Sequence, residues 1–424
     1  EYVRAGVPAL TVVLGHGPAC ADTIHELNAR YGGPTIVVGA DAPDVLAPHV
    51  QRVRTISACV EEALALLAPH ADQPRVDEPS GRCAHRRQES WSGDTVRVRT
   101  GRRTVMNAPW NNEDLRRAFD ADFDALVAFA SRSKARVGFA FLRADGQVDL
   151  GRPLDARISA RMTHVFALAQ MRGTEGAAHL VSHGLAALTG PLRAANGSWY
   201  AEVVPTSETS ATPVPRAVSS QRAQSAMIGA AAAALLAGHE EARALLADLD
   251  RDQDQRWWDP CSGSVREEIE AATGARSPLR RLSTNLDTAQ AYLAAWEATG
   301  ERAWFDRARS ILRLVGEIAA RCGFALPDLY DEEWRPLPAS ADQAPVELIR
   351  PGDTLPGLGF KAARLIGQTH AILTHMEEKP GPWMIDTATA LYERALADGW
   401  TNEGVGGIVY TLDPTGVVAA PQRM

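Results

Sequence analysis

Three polar side chains share one face of a predicted helix before the middle of the chain. Arg157, Arg161 and His164 stand at positions i, i+4 and i+7, and residues at this spacing are neighbours on a helix surface. An imidazole, whose ordinary pKa is near 6.5, can give or accept a proton at neutral pH. All three side chains could therefore line the mouth of a site with His164 as a catalytic candidate; otherwise His164 is a packed helix residue.

A carboxylate and an amide three residues apart allow either a chemical or a structural role. Asp287-Thr288-Ala289-Gln290 has the form of a capping box, in which Asp accepts from the backbone N–H three residues on and Gln reaches back. An ordinary Asp, with a pKa near 3.9, is a poor proton donor at pH 7 unless burial raises that pKa. We therefore predict that Asp287 caps a helix, and we retain a catalytic Asp287 as the alternative.

A pair of histidines has the spacing of a zinc-binding helix. His179 and His183 are at i and i+4, but Leu180 stands where such a helix carries its glutamate base, and no third ligand follows. The sequence therefore predicts no metal site.

These residues must be positioned by helices, because the chain after Met106 alternates amphipathic segments with loops rich in Gly, Pro and Trp. Two apolar stripes have helical spacing: Leu115, Phe119, Phe123, Leu126 and Ala130, and Trp304, Ala308, Ile311, Leu312 and Val315. About eight helices are predicted, at 113–131, 160–172, 177–189, 221–247, 284–299, 302–321, 359–376 and 383–398. Short strand signals lie at 198–204 and 407–413, and a hairpin turn is predicted within 256–268. Paired helices with short hairpins predict an α/α toroid over 106–424.

The first seventy residues have a different pattern. The strand-like runs 9–14 and 34–39 alternate with helical stretches at about 19–31 and 57–67, and this βα repetition predicts a parallel sheet. Two or three strands make only a partial α/β domain, because each face of a parallel sheet needs its own helical layer. The order of elements is faintly similar to half of a SIS-type phosphosugar isomerase domain.

Residues 71–105 carry eight arginines and five acids without a helical or strand period. They predict a linker or a disordered segment. The alternative is a basic patch that binds nucleic acid, but Trp91 is the only aromatic residue among these arginines that could stack on a base.

The composition of the 424 residues is that of a soluble globular protein with a sizeable core. The net charge of −8 has no long run of one sign, which argues against a nucleic-acid partner. Five widely spaced cysteines without a Cys-x-x-Cys pair favour a reduced intracellular protein. Neither a spanning apolar run nor a leader is visible, so we expect no membrane partner and a cytoplasmic location.

Several stretches after Met106 resemble the N-acylglucosamine 2-epimerase superfamily, most closely its mannose isomerase and sulfoquinovose isomerase branch. Their order and spacing match over about three quarters of the chain. They are GFAFLRADG (138–146), ISARMTHVFALA (158–169), HLVSHGLAAL (179–188), GSWYAEV (197–203), TNLDTAQAYLAAWEATGE (284–301) and DGWTNEGVGGIVYTLD (398–413). The resemblance implies a cofactor-free aldose–ketose isomerase on an (α/α)6 toroid, in which histidines move a proton between C1 and C2 of an open-chain sugar.

This chain departs from the family pattern where the resemblance places the chemistry. A catalytic histidine that follows Asn-Met in the family corresponds to Asp287, and its orienting glutamate to Gln290. A second family histidine corresponds to Ser225. In the family motif Pro-Gly-x-x-x-Glu-Trp, the glutamate corresponds to Lys361 and the tryptophan to Ala362. Together these departures indicate a scaffold with impaired proton transfer.

A third family histidine follows an Arg-Met pair, and the sequence ends at Arg423-Met424. We therefore expect an (α/α)6 toroid that is incomplete at its C-terminus and is preceded by a small α/β fragment.

The resemblance also suggests contacts to the sugar. The family's Arg of Ala-Arg-Met, which touches sugar hydroxyls, corresponds to Arg161. Trp199 and Tyr200 lie near predicted loops, where their rings could stack on a sugar or could instead pack the loops on the toroid.

Three functions remain open at this stage. The first is a sugar isomerase or 2-epimerase acting on a free monosaccharide such as mannose, with proton transfer reassigned to Asp287 or His164. The second is a carbohydrate-binding protein without turnover. The third is a glycoside hydrolase with Asp287 as its acid, which requires a second carboxylate within about 10 Å.

Overall fold

The computed structural model describes the chain in ten stretches: 11–14, 35–38, 50–53, 113–149, 151–207, 209–214, 218–270, 273–338, 349–401 and 407–423. The chain divides into two compact units, Glu1–Ala121 and Asp122–Met424.

The first unit contains a three-stranded parallel sheet. Its strands are β1 (Thr11–Leu14), β2 (Thr35–Val38) and β3 (Val50–Val53), in the order β1-β2-β3. Thr11 pairs with Thr35, and Thr35 pairs with Val50. The parallel sheet predicted from the βα repetition is confirmed, with β3 added. The two predicted helices before residue 70, and the predicted linker at 71–105, lie outside the described residues.

Nine α-helices lie in the described part of the chain: α1 (Glu113–Ser131), α2 (Ala156–Met171), α3 (Ala177–Thr189), α4 (Gln221–Leu236), α5 (Ala242–Asp252), α6 (Leu282–Thr299), α7 (Arg302–Arg321), α8 (Pro356–His375) and α9 (Trp383–Gly399). Helices α2, α4, α6 and α8 follow one another side by side as an inner layer. Each is backed by the next helix of the chain, so that α3, α5, α7 and α9 form an outer layer. This double layer confirms the predicted α/α toroid.

The two layers differ in how much of each helix is buried. The inner helix α4 is buried on nearly every side from Met227 to Leu235, because α2, α6 and α5 surround it. Its alanines allow this close approach. The outer helix α7 instead buries one stripe, which contains every residue of the predicted set from Trp304 to Val315. That apolar period was therefore interpreted correctly.

The other predicted stripe, on α1, is only partly covered, although Phe123 and Ala130 pack against the core. In α1 only Val127 is buried, whereas Phe119 and Leu126 are 61% and 66% exposed. Helical spacing of apolar residues places them on one face, but it does not supply a layer to cover that face.

The predicted long helix at 221–247 is two helices. The chain leaves α4 at Ala237, and Gly238 adopts a positive φ of 97°, a conformation that glycine supplies at helix C-termini. The break converts one predicted element into the inner helix α4 and the outer helix α5, and thereby preserves the alternation of the layers.

The remaining strands are short and antiparallel. They are β4 (Leu154–Asp155), β5 (Glu202–Pro205), β6 (Ala211–Pro213), β7 (Val218–Ser220), β8 (Trp258–Asp259), β9 (Ser264–Val265), β10 (Glu268–Glu270), β11 (Arg280–Arg281), β12 (Leu329–Tyr330), β13 (Trp400–Thr401), β14 (Gly407–Leu412) and β15 (Val418–Arg423). Strands β8 and β9 form the hairpin predicted within 256–268, with Gly263 at a φ of 64°. An added Cβ would lie 2.2 Å from the Ser310 hydroxyl oxygen, so a larger residue here would have to displace that hydroxyl as well as adopt a positive φ.

The described helices include none that combines the length and the apolar character needed to cross a lipid bilayer.

Candidate functional site

The long connections of the toroid all lie at one end of the inner helices. Residues 132–155, 190–220, 258–281 and 322–355 each lead into the start of an inner helix, whereas the connections from inner to outer helices, such as 172–176 and 300–301, are short. The strand-bearing loops therefore gather where the inner helices begin. Loops carried on a rigid framework are the usual place for binding residues, so the first turns of the inner helices form the candidate site.

Helix α2 supplies the first predicted group. His164 is half-buried, and its Nδ1 lies 3.0 Å from the carbonyl oxygen of Gly229 on α4. When Nδ1 donates to this oxygen, the neutral ring keeps its lone pair on Nε2. Arg161 is exposed and Arg157 is half-buried, one and two turns closer to the loops respectively. The helix thus carries a candidate base and two cations along one face.

Helices α6 and α8 bring the sequence departures together. The Lys361 ammonium donates to the Asp287 carboxylate, and Arg364 Nη2 donates to Gln290 Oε1 over 2.8 Å. The side chains of Asp287 and Lys361 are 43% and 25% exposed. The resemblance assigns family motif positions to Asp287, Gln290 and Lys361, so here the changed residues contact one another. Lys361, at a position where the family has a glutamate, is thus paired with Asp287, at a position where the family has a histidine.

A double-mutant cycle at this pair tests whether the two changes are coupled. We expect Asp287→Asn and Lys361→Met to show a coupling free energy of about 0.2–1 kcal/mol, because both groups are partly exposed and solvent screens the ion pair. Urea unfolding of the two single variants and the double variant, at low and at high salt, measures it. Strict additivity at low salt would show that the two side chains do not interact in solution.

The predicted capping box is wrong. Helix α6 begins at Leu282, so Asp287 and Gln290 lie in its second and third turns, where backbone N–H groups are already bonded. The cap comes from Asp328, whose carbonyl oxygen accepts from Leu282 N at 2.9 Å and whose Oδ1 accepts from Ser283 N at 2.7 Å. Asp328 Oδ2 also accepts from Arg281 Nε at 2.9 Å. The capping role predicted for Asp287 is thus filled by Asp328, a residue far along the chain.

Ser225, at the second family histidine position, lies inside a buried polar network. Its hydroxyl is 2.7 Å from that of Thr288 and donates to the Gln221 carbonyl oxygen at 3.0 Å. Gln221 Nε2 donates to Gln253 Oε1 at 2.8 Å, and the Tyr292 hydroxyl donates to the same oxygen at 2.6 Å. The network joins α4 and α6 to the π-helical turn Gln253–Trp257 that follows α5. A serine here ties the helices together instead of facing a ligand.

Removing the Tyr292 hydroxyl should weaken the hydrogen-bond network between α6 and the π-helical turn while the aromatic ring still fills its place in the core. We expect Tyr292→Phe to lower the free energy of unfolding by about 1 kcal/mol, because Gln253 Oε1 keeps its bond from Gln221. Urea denaturation measures the change, and Tyr392→Phe on the exposed face of α9 is the matched control. A loss no larger than that of the control would contradict a stabilising role for the network.

A buried carboxyl group lies beside the start of α6, and sequence reasoning missed it. Glu267 is only 4% exposed, and burial raises the pKa of its carboxyl to about 7, against the opposing effects of the Thr284 hydroxyl and the Arg222 and Arg281 guanidinium groups. Asp328 contributes a further increase to this pKa. In the sequence Glu267 is one of two adjacent glutamates in a charged loop, and nothing in that pattern indicates burial.

Trp199 and Tyr200 line a separate groove. The groove has a volume of about 790 Å³, and its walls also include Pro213, Arg256 and Arg276, but neither Asp287 nor His164. Trp199 is buried; its indole N–H donates to the Leu188 carbonyl oxygen at 2.9 Å, and the Arg193 guanidinium lies 4.4 Å from its ring centroid. The ring of Trp199 is thus engaged within the protein, and Tyr200 is half-buried beside it.

The two histidines with zinc-like spacing have other neighbours. His179 Nε2 lies 3.1 Å from the Lys134 ammonium, and His183 Nε2 lies 2.9 Å from the Gly138 carbonyl oxygen. Burial lowers the pKa of His183. Within the described stretches, no three His, Cys, Asp or Glu side chains are grouped as a metal site requires.

Sequence and structure comparisons place this toroid among known proteins. The profile of the N-acylglucosamine 2-epimerase (GlcNAc 2-epimerase) family matches residues 138–424. A D-mannose isomerase of Pseudomonas cannabina pv. alisalensis is 33% identical over 291 residues, 68% of each chain. A second D-mannose isomerase, from Thermobifida fusca, is 33% identical over 319 residues, 74% of this chain and 76% of its own.

Among solved structures, a crystal structure of D-mannose isomerase superposes with a TM-score of 0.64 at 21% identity, covering 72% of this chain and 76% of that one. At this identity the superposition shows a shared fold. The family profile spans more than half of the chain and two relatives exceed 30% identity. The chain therefore belongs to the N-acylglucosamine 2-epimerase family, as the sequence motifs predicted.

Proposed function

We propose that the protein interconverts an aldose and a ketose, or epimerises an aldose at C2, on a free monosaccharide such as mannose. The observation that carries the proposal is the position of His164 on an inner helix of a family toroid, with Nδ1 bonded to a carbonyl oxygen and Nε2 left as the acceptor nitrogen. Two relatives of this chain are D-mannose isomerases, which supports mannose as the reference sugar.

The reaction requires one base and one acid, with no external oxidant. A base removes the proton from C2 of the open-chain aldose, the electrons of the C–H bond form the C1=C2 double bond, and O1 takes up a proton to give the enediol. Return of a proton to C1, with loss of the O2 proton, gives the ketose. Return of a proton to C2 from the other face, with loss of the O1 proton, gives the epimer. We assign the proton transfer to His164 Nε2, with the Asp287 carboxylate as the second proton-transfer group. Arg161 is assigned to the sugar hydroxyls.

The departures from the family pattern at Ser225 and Asp287 support a slower turnover than that of an enzyme with histidines at both positions. Ser225 is engaged in the buried network, and Asp287 is paired with Lys361. Proton transfer then depends on fewer groups, and each well-placed acid or base contributes about 10²–10⁴-fold to the rate. The same two observations favour the second candidate function, which is sugar binding without turnover.

A hydrolase is less well supported. On α6 the next carboxylate after Asp287 is Glu297, ten residues further and about 15 Å away along the helix axis. A hydrolytic pair with Asp287 requires a separation below about 10 Å, so α6 does not supply its partner.

Proton NMR in D2O tests the proposal directly. The purified protein is incubated with mannose, glucose or fructose, and the C2 proton of each aldose and the C1 protons of the ketose are followed. Loss of these signals supports the isomerase, and new sugar peaks identify the product. Saturation-transfer signals from a bound sugar whose C2 proton persists would support binding without turnover and contradict the isomerase.

A further inference from the structure

Lysine is rare in this chain, and one of its lysines stands at the candidate site. The sequence holds 44 lysines and arginines, of which only Lys134, Lys361 and Lys379 are lysines. Lys361 lies in the second turn of the inner helix α8, and its ammonium is paired with the Asp287 carboxylate on α6. A primary amine where the chain nearly always uses a guanidinium is therefore a distinguishing feature of the site.

The Lys361–Asp287 pair also differs in exposure from a structural ion pair nearby. Arg281 and Asp328, which fix the start of α6, are both buried. Lys361 and Asp287 are partly exposed, so a small molecule can reach both charged groups. For a structural pair arginine is the better residue, because its planar guanidinium can bind a carboxylate through two N–H groups. Residue type and exposure thus set the Lys361–Asp287 pair apart.

A lysine amine in contact with a carboxylate has the composition of a Schiff-base site. The neutral amine is the nucleophile that adds to an aldehyde, so a base must first take the ammonium proton. The Asp287 carboxylate accepts from the Lys361 ammonium and is placed to take that proton. A guanidinium stays protonated in proteins, so arginine at this position would keep the ion pair without this chemistry.

A second contact between α6 and α8 fixes how Lys361 faces Asp287. Three positions further along both helices, Arg364 Nη2 donates to Gln290 Oε1 over 2.8 Å. The two contacts join the same faces of the two helices. The family resemblance assigns motif positions to Asp287, Gln290 and Lys361. The amine thus stands where that resemblance places the chemistry on an open-chain sugar, and an open-chain aldose carries a free aldehyde at C1.

We propose that Lys361 forms a Schiff base with the C1 aldehyde of an open-chain aldose and that Asp287 carries the protons of this step. The proposal rests on the proposed function for the location of the site and for the class of sugar. The Lys361 nitrogen attacks C1, the electrons of the C=O double bond move to O1, and O1 leaves as water with two protons that Asp287 transfers from the nitrogen. An ammonium and an aldehyde thereby become an iminium and water, and the step needs no oxidant or reductant.

The iminium determines which product is released. When His164 removes the C2 proton, the electrons of the C–H bond form a C1=C2 double bond and those of the C=N double bond move to nitrogen. Return of a proton to C2 from the other face restores an iminium, and water then releases the 2-epimer and the free amine of Lys361. Return of a proton to C1, with loss of the O2 proton, leaves a C1–N single bond that water does not hydrolyse. The Schiff-base route therefore releases a 2-epimer and no ketose.

Reductive trapping tests the proposal. The full chain is incubated at pH 7.5 with mannose and cyanoborohydride, which reduces an iminium to a stable amine, and mass spectrometry of the peptides measures the label on each lysine. We expect Lys361 to be labelled about 10²-fold faster than Lys379, which is exposed and has no carboxylate partner among the described residues. Methyl mannoside, which has no aldehyde, should label neither. Equal rates of labelling at the two lysines would overturn the proposal.

Matched variants separate the amine from its charge. Lys361→Arg keeps a cation beside Asp287 and should abolish formation of glucose from mannose, whereas Lys379→Arg should not change it. Glucose formed by Lys361→Arg at the unmodified rate would contradict the Schiff-base route. Asp287→Asn should slow the labelling of Lys361 to the rate of Lys379. Faster labelling in that variant would show that the carboxylate keeps the amine protonated, which would also contradict the proposal.

Exchange of the C2 proton distinguishes this inference from the proposed function. Exchange without preferred labelling of Lys361 removes only the Schiff base and leaves the isomerase or epimerase in place. Preferred labelling of Lys361 without exchange supports the Schiff base and removes only the proposed reaction at C2.

Discussion

Replacing His164 by Asn is expected to lower the rate of C2 proton exchange by about 10²–10⁴-fold, the usual contribution of one general acid or base. The amide nitrogen of Asn can take the place of Nδ1 and keep the bond to the Gly229 carbonyl oxygen, while the Nε2 lone pair is lost. The contact between α2 and α4 therefore survives, and the proton-transfer group does not. The measurement is the first-order loss of the C2 signal in D2O with the variant and the unmodified protein at equal concentrations.

Two further variants determine what the His164 result means. His183→Gln, on the outer helix α3, keeps an amide near the Gly138 carbonyl oxygen that Nε2 of His183 contacts, and it should leave exchange unchanged. Asp287→Asn tests the second proton-transfer group. Full exchange in His164→Asn together with its loss in Asp287→Asn would show that the base is Asp287 on α6. That result would contradict the assignment of the base to His164 on α2.

The sequence predicted the framework of the toroid better than the contacts within the site. Periodicity located α1, α3 and α7 at their observed bounds, because helix bounds depend on local apolar spacing and on loop residues. It merged α4 with α5, since the alanine-rich stretch continues the apolar pattern up to Gly238 and only the positive φ of that residue breaks it. Local pattern thus finds helices but does not always separate them.

The errors at the candidate site have a common physical origin in contacts between distant residues. The capping box at Asp287 was a sound local interpretation, yet the N–H groups at the start of α6 are satisfied by Asp328. Lys361 and Asp287 were recognised as separate departures from the family, and only the packing of α6 against α8 shows that they form one pair. A single sequence carries no record of either contact, because both join residues more than forty positions apart.

Glu267 illustrates a group that neither periodicity nor motif could identify, and it has a measurable effect on stability. Its pKa of about 7 in the folded protein lies above the ordinary value of 4.5. Between these two pH values the folded state holds the proton more tightly than the unfolded state does. The contribution of Glu267 to stability is therefore fully present below about pH 4.5 and is lost as the pH rises through 7. The loss amounts to roughly 3 kcal/mol at higher pH.

Replacing Glu267 by Gln should remove this pH dependence, since Gln has nearly the shape of the protonated glutamate but cannot ionise. We expect Glu267→Gln to be more stable than the unmodified protein by roughly 2–3 kcal/mol at pH 8 and equally stable near pH 4.5. Urea unfolding across this pH range measures the difference. The control is Glu297→Gln on the exposed surface of α6, which should follow the unmodified protein at every pH. A Glu267→Gln variant that is less stable at pH 8 would show that the ionised carboxylate is held by Arg222 and Arg281 more strongly than burial opposes it.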